Sequence, residues 1–337
     1  MSVLNTRNRD VISRRFGLKT GKKETLESIG KSYGITRERV RQIEEVSLKQ
    51  VRDGLGAGFA VKIKPFVNLA ENILEQVGGV AREEQLFVKF SGAAKDNPAN
   101  ASLVFFLSLD GKLKRVIDSD DFHTFWALSD QHADSFSQSI SAFIGAMENS
   151  KTPIAESALV EFYKKSGASF KDVTPAVIDS YLSISKNIAR NNFDQVGLVS
   201  WPDIKPRGVR DKAFLVLKRN GKPEHFREIA QLINASGFGD NRKANIQTVH
   251  NELIKDKRFV LVGRGLYGLA EWGYKAGTVK DVIVDLMRSA GGPLHKKEIV
   301  AQVLSHRLVK ENTILVNLQD PKTFDRKENG VYALHEA

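Results

Sequence analysis

The chain has 337 residues, of which 41% are hydrophobic and 27% charged, a composition typical of a globular protein that can bury several cores. It contains no cysteine, which excludes disulfides, thiolate catalysis and cysteine-ligated zinc or iron–sulfur sites. No apolar run reaches the roughly 20 residues of a membrane helix and the N-terminus has no hydrophobic signal core, so we expect a cytoplasmic protein with no membrane partner.

The net charge of +11 is unevenly distributed along the chain. Residues 1–64 carry 15 basic and 7 acidic side chains, and residues 207–273 carry 13 and 7. Between these two basic blocks, residues 65–134 carry 6 basic and 11 acidic side chains. The basic blocks indicate a polyanionic partner, and the acidic block is better suited to protein contacts than to DNA.

A pair of amphipathic helices is predicted over residues 24–52. Gly34 supplies the turn between them, and Thr36 is a good N-cap for the second helix because its hydroxyl can accept a hydrogen bond from a free backbone N–H. The predicted buried face consists of Leu26, Ile29, Ile35, Val40, Ile43 and Val51. The pattern is typical of a helix-turn-helix; the alternative is a two-helix core element with a solvated charged face.

The outward side chains on the first turns of the second helix can read base edges in a DNA major groove. Arginine can bind guanine through two hydrogen bonds, glutamine can pair with adenine, and glutamate can accept a hydrogen bond from cytosine. The candidate base readers are Arg37, Glu38, Arg41 and Gln42. Arg39 and Lys49 suit phosphate contacts, which hold the register without reading sequence. Further candidate phosphate contacts upstream are Arg14, Arg15, Lys19, Lys22 and Lys23.

This stretch resembles region 4 of the primary bacterial sigma factors over roughly residues 8–53. The resemblance rests on the runs 15–18 (RFGL), 25–30 (TLESIG) and above all 36–44 (TRERVRQIE). It implies that the four candidate base readers face a promoter −35 element and that the module also docks on the RNA polymerase flap. Sigma factors carry regions 2 and 3 ahead of region 4, and the sequence upstream has no space for them, so we do not expect a stand-alone initiation factor.

Four segments follow the N-terminal helices, and each ends in a similar run of three residues whose last residue is leucine. The closing leucines Leu128, Leu198, Leu269 and Leu334 are 70, 71 and 65 residues apart. Recurrence at a nearly fixed spacing predicts a tandem repeat, although chance similarity is the alternative for the second segment. The predicted modules are 1–60, 65–132, 135–205, 207–273 and 275–337, with short linkers near 130–135, 202–208 and 273–277.

The third repeat has the clearest pattern of secondary structure. Helices are predicted over 209–218, from Phe226, and over 245–255, followed by β-rich stretches at 258–262 and 266–270. Three helices and a hairpin are typical of a winged helix-turn-helix, and the fourth repeat has the same order. The predicted fold class is therefore mainly α with small β-hairpins: an N-terminal helix-turn-helix followed by tandem winged-helix units.

The third repeat resembles the HARE-type helix-turn-helix, a winged helix also found in the delta subunit of bacterial RNA polymerase. The resemblance rests on residues 221–223, 226–230, 246–253 and 265–269. It implies an adaptor linked to DNA or to polymerase. The candidate DNA contacts here are Arg242, Lys243, Asn245 and Gln247 at the third helix and Arg264 at the wing tip, a solvated basic face being the alternative.

No catalytic, metal or cofactor site is predicted. Gly263, Gly265 and Gly268 match a dinucleotide-binding string, but strand-like residues lie on both sides, without the helix N-terminus that holds pyrophosphate, so a wing turn is predicted instead. The seven histidines show no metal-ligand spacing. We therefore expect the chain to be no enzyme and to need no cofactor.

The predicted function is a DNA-binding transcription regulator or RNA-polymerase-associated factor, nucleoid-associated in the cytoplasm. Its N-terminal helix-turn-helix would read a −35-like element of double-stranded DNA in the major groove. Two alternatives stay open. One is an adaptor that binds mainly the RNA polymerase core without reading DNA sequence, and the other is a DNA-binding subunit that organises the nucleoid or accompanies a nuclease.

Overall fold

The computed structural model of the chain describes residues 3–54, 57–168, 173–238 and 243–335, and no side chains for 57–60. It begins with the N-terminal module, formed by α1 (Thr6–Phe16), α2 (Leu26–Tyr33) and α3 (Arg37–Asp53). α2 ends at Gly34, whose φ of 64° is reached by glycine without steric cost. Fully buried Val11, Ile29 and Val40 pack where the three helices meet. The predicted helix-turn-helix is therefore confirmed.

Two winged units follow in the first part of the chain. The first comprises α4 (Ala57–Gln76), β1 (Val80–Arg82), α5 (Glu83–Ser91), α6 (Pro98–Asp110), β2 (Lys114–Val116) and β3 (Phe125–Ala127). The second comprises α7 (Asp130–Ser150), β4 (Ile154–Ala155), α8 (Leu159–Lys165), α9 (Pro175–Ile184), β5 (Ile188–Arg190) and β6 (Gln195–Leu198). Because α7 begins directly after β3, with Ser129 as its N-cap, the linker predicted near 130–135 is wrong.

The third and fourth winged units repeat the same order of elements. The third comprises α10 (Val209–Asn220), β7 (Glu224–His225), α11 (Phe226–Ala235), α12 (Ile246–Lys255), β8 (Phe259–Gly263) and β9 (Leu266–Leu269). The fourth comprises α13 (Val279–Ala290), β10 (Leu294–His295), α14 (Lys296–His306), α15 (Glu311–Asn317), β11 (Phe324–Arg326) and β12 (Val331–Leu334). Three short 3₁₀ turns lie at 156–158, 270–272 and 328–330.

Each winged unit has a three-stranded antiparallel sheet in which the last strand lies between the other two, as in the order β7-β9-β8. The sequence pattern predicts only the last two strands, because a first strand of two or three residues is too short to show alternation. The residues between β8 and β9 form the wing turn, so the dinucleotide interpretation of the glycine string stays excluded by context. The fold class, mainly α with small hairpins, is confirmed.

The chain divides into two compact parts, Met1–Arg190 with Asp194–Ser200 and Asn191–Phe193 with Trp201–Ala337. In the first part, the N-terminal module and the first winged unit share one hydrophobic core. The ring of Phe16 on α1 meets Phe105 of α6 edge to face, with centroids 5.2 Å apart. Arg52 of α3 donates a hydrogen bond to the carbonyl oxygen of Leu109 at 2.9 Å. These contacts fix the helix-turn-helix on its neighbour.

A buried carboxylate adds a polar link between the same two modules. Glu83, only 6% exposed, accepts hydrogen bonds from Lys23 Nζ at 3.0 Å and from Arg115 Nε and Nη2 at 2.6 and 2.8 Å. The indole Nε1 of Trp126 donates a further bond at 3.0 Å. Burial would raise the pKa of this carboxyl, but the hydrogen bonds and charges of Arg115 and Lys23 outweigh burial and hold the pKa below its usual value.

The third helices of the first two winged units are buried. Six apolar residues of α6 lie in the core: Ala101, Leu103, Val104, Phe105, Leu107 and Leu109. α9 packs against β1 of the preceding unit, where Ser180 Oγ donates to the carbonyl of Val80 at 2.7 Å and Tyr181 donates to that of Gly78 at 3.1 Å. A helix must be exposed to enter a DNA groove, so neither α6 nor α9 can do so in this arrangement.

In the second part, the third helices α12 and α15 keep exposed faces. The third and fourth units are joined through Arg307, which is 4% exposed and donates hydrogen bonds to the carbonyls of Leu261 and Gly277. Leu308 N also donates to the carbonyl of Val262 at 2.8 Å, along the outer edge of β8. Across the described residues, no helix is long and apolar enough to cross a bilayer.

Candidate nucleic-acid interface

The start of α3 is fixed by a side-chain cap and by one buried residue. Thr36 Oγ1 accepts a hydrogen bond from the backbone N–H of Arg39 at 3.2 Å, as its sequence position predicts. Val40 is fully buried and faces α1 and α2. With that residue directed inward, the four predicted base readers on the first two turns are all exposed: Arg37, Glu38, Arg41 and Gln42.

The exposed row is connected by hydrogen bonds. Arg41 Nε lies 3.1 and 3.0 Å from the two carboxylate oxygens of Glu38, and Arg41 Nη1 lies 3.1 Å from Glu45 Oε2. Gln42 accepts a bond from Arg39 Nη1 at 3.0 Å. The hydrogen bond from Arg41 lowers the pKa of Glu38, and the bond from Glu38 raises the pKa of Arg41. The row is therefore a connected donor and acceptor network on a fully exposed surface.

The two predicted phosphate-contacting residues on α3 differ in their surroundings. Arg39 is exposed and bonded to Gln42. Lys49 is exposed three turns further along the helix, and no carboxylate of the described residues lies within ion-pair distance of it. Lys49 is therefore the more available cation, while Arg39 also orients a predicted base reader.

Three of the upstream cations predicted to contact phosphate have internal partners instead. Arg14 pairs with Glu24 at 2.7 Å, Arg15 with Glu44 at 3.1 Å, and Lys23 with the buried Glu83. The prediction overlooked that carboxylates far away in sequence compete for these cations. Their observed role is structural, whereas Lys19 and Lys22 stay exposed.

In the third winged unit, the predicted contacts Lys243, Asn245, Gln247 and Arg264 are exposed, and Arg242 lies outside the described residues. Asn245 is the N-cap of α12, and its Oδ1 accepts from the backbone N–H of Gln247 at 2.8 Å. The Gln247 amide donates to Asn251 Oδ1 at 3.2 Å. The two amides therefore already have intramolecular partners, whereas Lys243 and Arg264 form no ion pair with any residue that the structure describes.

Sequence reasoning missed the aliphatic residues on the outer surface of α12. Ile246 and Ile254 are 46% and 63% exposed. Their spacing of eight residues, two i,i+4 steps, was a readable signal that both lie on one stripe of the helix. No cluster of three or more potential metal ligands occurs among the described residues.

The exposed face of α3 and the four winged units place this chain in the class of multi-module helix-turn-helix proteins. Residues 1–53 match the family described as Sigma-70, region 4. Residues 208–272 match the HARE-HTH family, the helix-turn-helix domain named in part after ASXL and restriction endonuclease proteins. Both resemblances stated from the sequence are therefore confirmed.

Two curated relatives resemble the N-terminal module. Over 52 residues the chain is 48% identical to the RNA polymerase sigma factor SigA1 of Synechococcus elongatus and 50% identical to the RNA polymerase sigma factor RpoS of Coxiella burnetii. Each match covers 15% of this chain, and it spans 13% and 15% of the length of the two relatives. The similarity to these two relatives thus concerns one module, a small part of either chain.

Proposed function

We propose that this chain is a DNA-binding, RNA-polymerase-related transcription factor that acts without catalysis and is associated with the nucleoid. Its N-terminal module reads a −35-like element of double-stranded DNA in the major groove. The observation that carries the proposal is the exposed row on the first two turns of α3, backed by a buried Val40. Donors and acceptors at the N-terminal end of a second helix are what base reading in a major groove requires.

Each side chain in the row has a role in this proposal. Arg41 binds guanine through its guanidinium, Gln42 pairs with adenine, and Glu38 accepts from cytosine. Arg37 supplements the base contacts, while Arg39 and Lys49 bind phosphates and hold the register. On binding, the bases replace intramolecular partners on an exposed surface, so few buried contacts have to be broken.

The winged units contribute unequally to the proposed function. Buried α6 and α9 make the first two units a support for the helix-turn-helix rather than further readers. The third unit keeps Lys243 and Arg264 exposed, and these cations supply non-specific attraction to the phosphate backbone. The amides of Asn245 and Gln247, and Arg242 before them, complete the candidate DNA surface of that unit.

The adaptor alternative, in which residues 1–53 mainly bind the RNA polymerase core, meets an obstacle in the core packing. Phe16, Leu48 and Val51, which are apolar residues outside the module's own small core, pack into the first winged unit. A partner of the N-terminal module therefore cannot bind these three residues unless that packing opens. This favours DNA as the ligand of the module, with polymerase contacts made elsewhere on the chain.

The test is genome-wide footprinting of the wild-type chain and of an Arg41→Ala/Gln42→Ala variant. Point substitutions are preferable to deletion of residues 1–60, because deletion would expose the core face of α6. We expect the sites to share a −35-like sequence and to disappear in the variant. Retained sites, together with retained co-purification of RNA polymerase, would favour the adaptor; retained binding without sequence preference would favour the nucleoid or nuclease-accessory role.

A further inference from the structure

The outward flank of α12 carries two exposed isoleucines that neither belong to the core nor suit DNA. Ile246, His250 and Ile254 follow one another at intervals of four residues and so form one stripe. The core side of the helix is occupied by Val249 and Leu253, which are 0% and 1% exposed. Ile246 and Ile254 are therefore surplus to the folding of the unit, whereas His250 between them is half-buried.

Aromatic rings extend this stripe toward the wing. His250 stacks on Phe226 with ring centroids 4.4 Å apart, and Phe226 lies against His225 at 4.3 Å. Phe226 N donates to the carbonyl of Gly265 in the wing turn at 3.0 Å. We call the surface formed by Ile246, His250, Ile254 and Phe226 the α12 patch.

Four cations border the α12 patch. Lys243 and Lys255 flank its ends along the helix, the guanidinium of Arg227 lies 6.0 Å from the Phe226 ring centroid, and Arg264 adjoins Gly265. No carboxylate of the described residues forms an ion pair with any of these four, whereas Arg258 in the same unit pairs with both Asp211 and Asp256. The patch thus has an apolar centre and a rim of uncompensated positive charge.

An apolar centre with a charged rim is the composition of a protein-binding surface rather than of a groove-reading helix. In a DNA groove the isoleucines could contact only thymine methyl groups. On α3, by contrast, the first two outward turns are wholly polar.

We propose that the α12 patch docks an acidic amphipathic helix of a partner protein. Leucine or isoleucine side chains of that helix cover Ile246 and Ile254, and its carboxylates face the four rim cations. This interaction leaves promoter reading by α3, in a different module, untouched. It uses Lys243 and Arg264, however, and therefore competes with the phosphate contacts proposed for these two cations.

The test measures fluorescence anisotropy of a labelled synthetic helix of leucine and glutamate, in amphipathic order, against the full chain at physiological salt. The same composition in scrambled order is the control ligand. The variants are Ile246→Ser/Ile254→Ser for the centre and Lys243→Gln/Lys255→Gln for the rim. Ile117→Ser is the matched control, since Ile117 is 68% exposed in the first winged unit. Because all the substituted side chains are at the surface, thermal melting should stay unchanged.

We expect the isoleucine variant to bind the amphipathic peptide at least tenfold more weakly and the lysine variant severalfold more weakly. The Ile117→Ser variant should bind the amphipathic peptide with wild-type affinity. The scrambled peptide should bind the wild-type chain only weakly. Equal binding of both peptides, or wild-type affinity of the isoleucine variant, would overturn the proposal. Loss of affinity for a −35-like duplex in the isoleucine variant would also overturn it, because the patch would then be a DNA surface. If only Arg41→Ala loses affinity for that duplex, the result concerns the promoter proposal and leaves this one intact.

Discussion

Arg41 and Glu38 lie side by side on the exposed face of α3, with Arg41 Nη2 2.8 Å from Glu38 Oε1. One residue offers donors that match guanine and the other offers acceptors that match cytosine. In the free protein the two side chains satisfy each other, and in the proposed complex the bases replace this bond.

Replacing Arg41 with alanine should therefore weaken binding to a −35-like duplex by about tenfold or more, because a bidentate base contact is lost. Binding to a scrambled duplex should change much less. Anisotropy titrations on both duplexes at one salt concentration measure the two affinities. An equal loss on both duplexes would show that Arg41 contacts phosphate instead of a base.

Replacing Lys49 with alanine should weaken binding to both duplexes, unlike the replacement of Arg41. A phosphate contact carries no sequence information, so affinity for both duplexes should fall by a similar factor. The slope of log K against log salt should become shallower by about one. Lys89→Ala on α5, an exposed lysine of the first winged unit, serves as the charge-matched control. A change confined to the −35-like duplex would assign base reading to Lys49.

Glu83→Gln should destabilise the chain by about 2–4 kcal/mol, because Lys23 and Arg115 lose the buried carboxylate that they share. Since the folded pKa of Glu83 lies below its unfolded value of about 4.3, its stabilising effect is complete above that value and is lost as the pH falls through the lower folded pKa. Urea unfolding as a function of pH measures both effects.

The variant should accordingly show a flatter loss of stability in acid than the wild type. Glu84→Gln is the neighbouring control, because its side chain is 45% exposed and pairs with Arg82. If the free energy of unfolding of the Glu83 variant falls with decreasing pH as steeply as that of the wild type, other carboxylates govern the acid transition.

Histidines cap the second helices of both C-terminal winged units. His225 Nδ1 accepts from the N–H of Arg227 at 3.3 Å, and His295 Nδ1 accepts from the N–H of Lys297 at 3.2 Å. Replacing either histidine with alanine should cost about 1 kcal/mol, and aspartate should recover most of the loss. Thermal melting measures both changes, with His335→Ala as a control outside any helix. If aspartate and alanine behave alike, the cap contributes no stability.

The helix-turn-helix was predictable because its determinants are local. Leu26, Ile29 and Val40 repeat with helical spacing, and the glycine and threonine between the helices have conformational roles that need no tertiary context. The exposure of Arg37, Glu38, Arg41 and Gln42 followed from the same periodicity. Whether they bind DNA stays a prediction.

Other features depend on partners distant in sequence. The pairing of Lys23 with Glu83 joins residues 60 positions apart, and nothing local distinguishes that lysine from a phosphate-binding one. The burial of α6 had a signal that went unread, because Val104, Phe105, Phe106 and Leu107 place apolar side chains on every side of the helix. No sequence signal indicated the burial of α9 against β1, since that contact depends on how two repeats pack together.

The burial of α6 and α9 also governs how this architecture can be rearranged. A unit whose third helix is free of its neighbours can be exchanged for another unit of the same kind. A unit whose third helix packs against a neighbour cannot be deleted without exposing a buried surface. Removing the first winged unit would uncover Phe16 on one side and, on the other, the face of α9 that packs against β1. Chimeras and truncations of the first part should therefore be built from the whole block up to about residue 200.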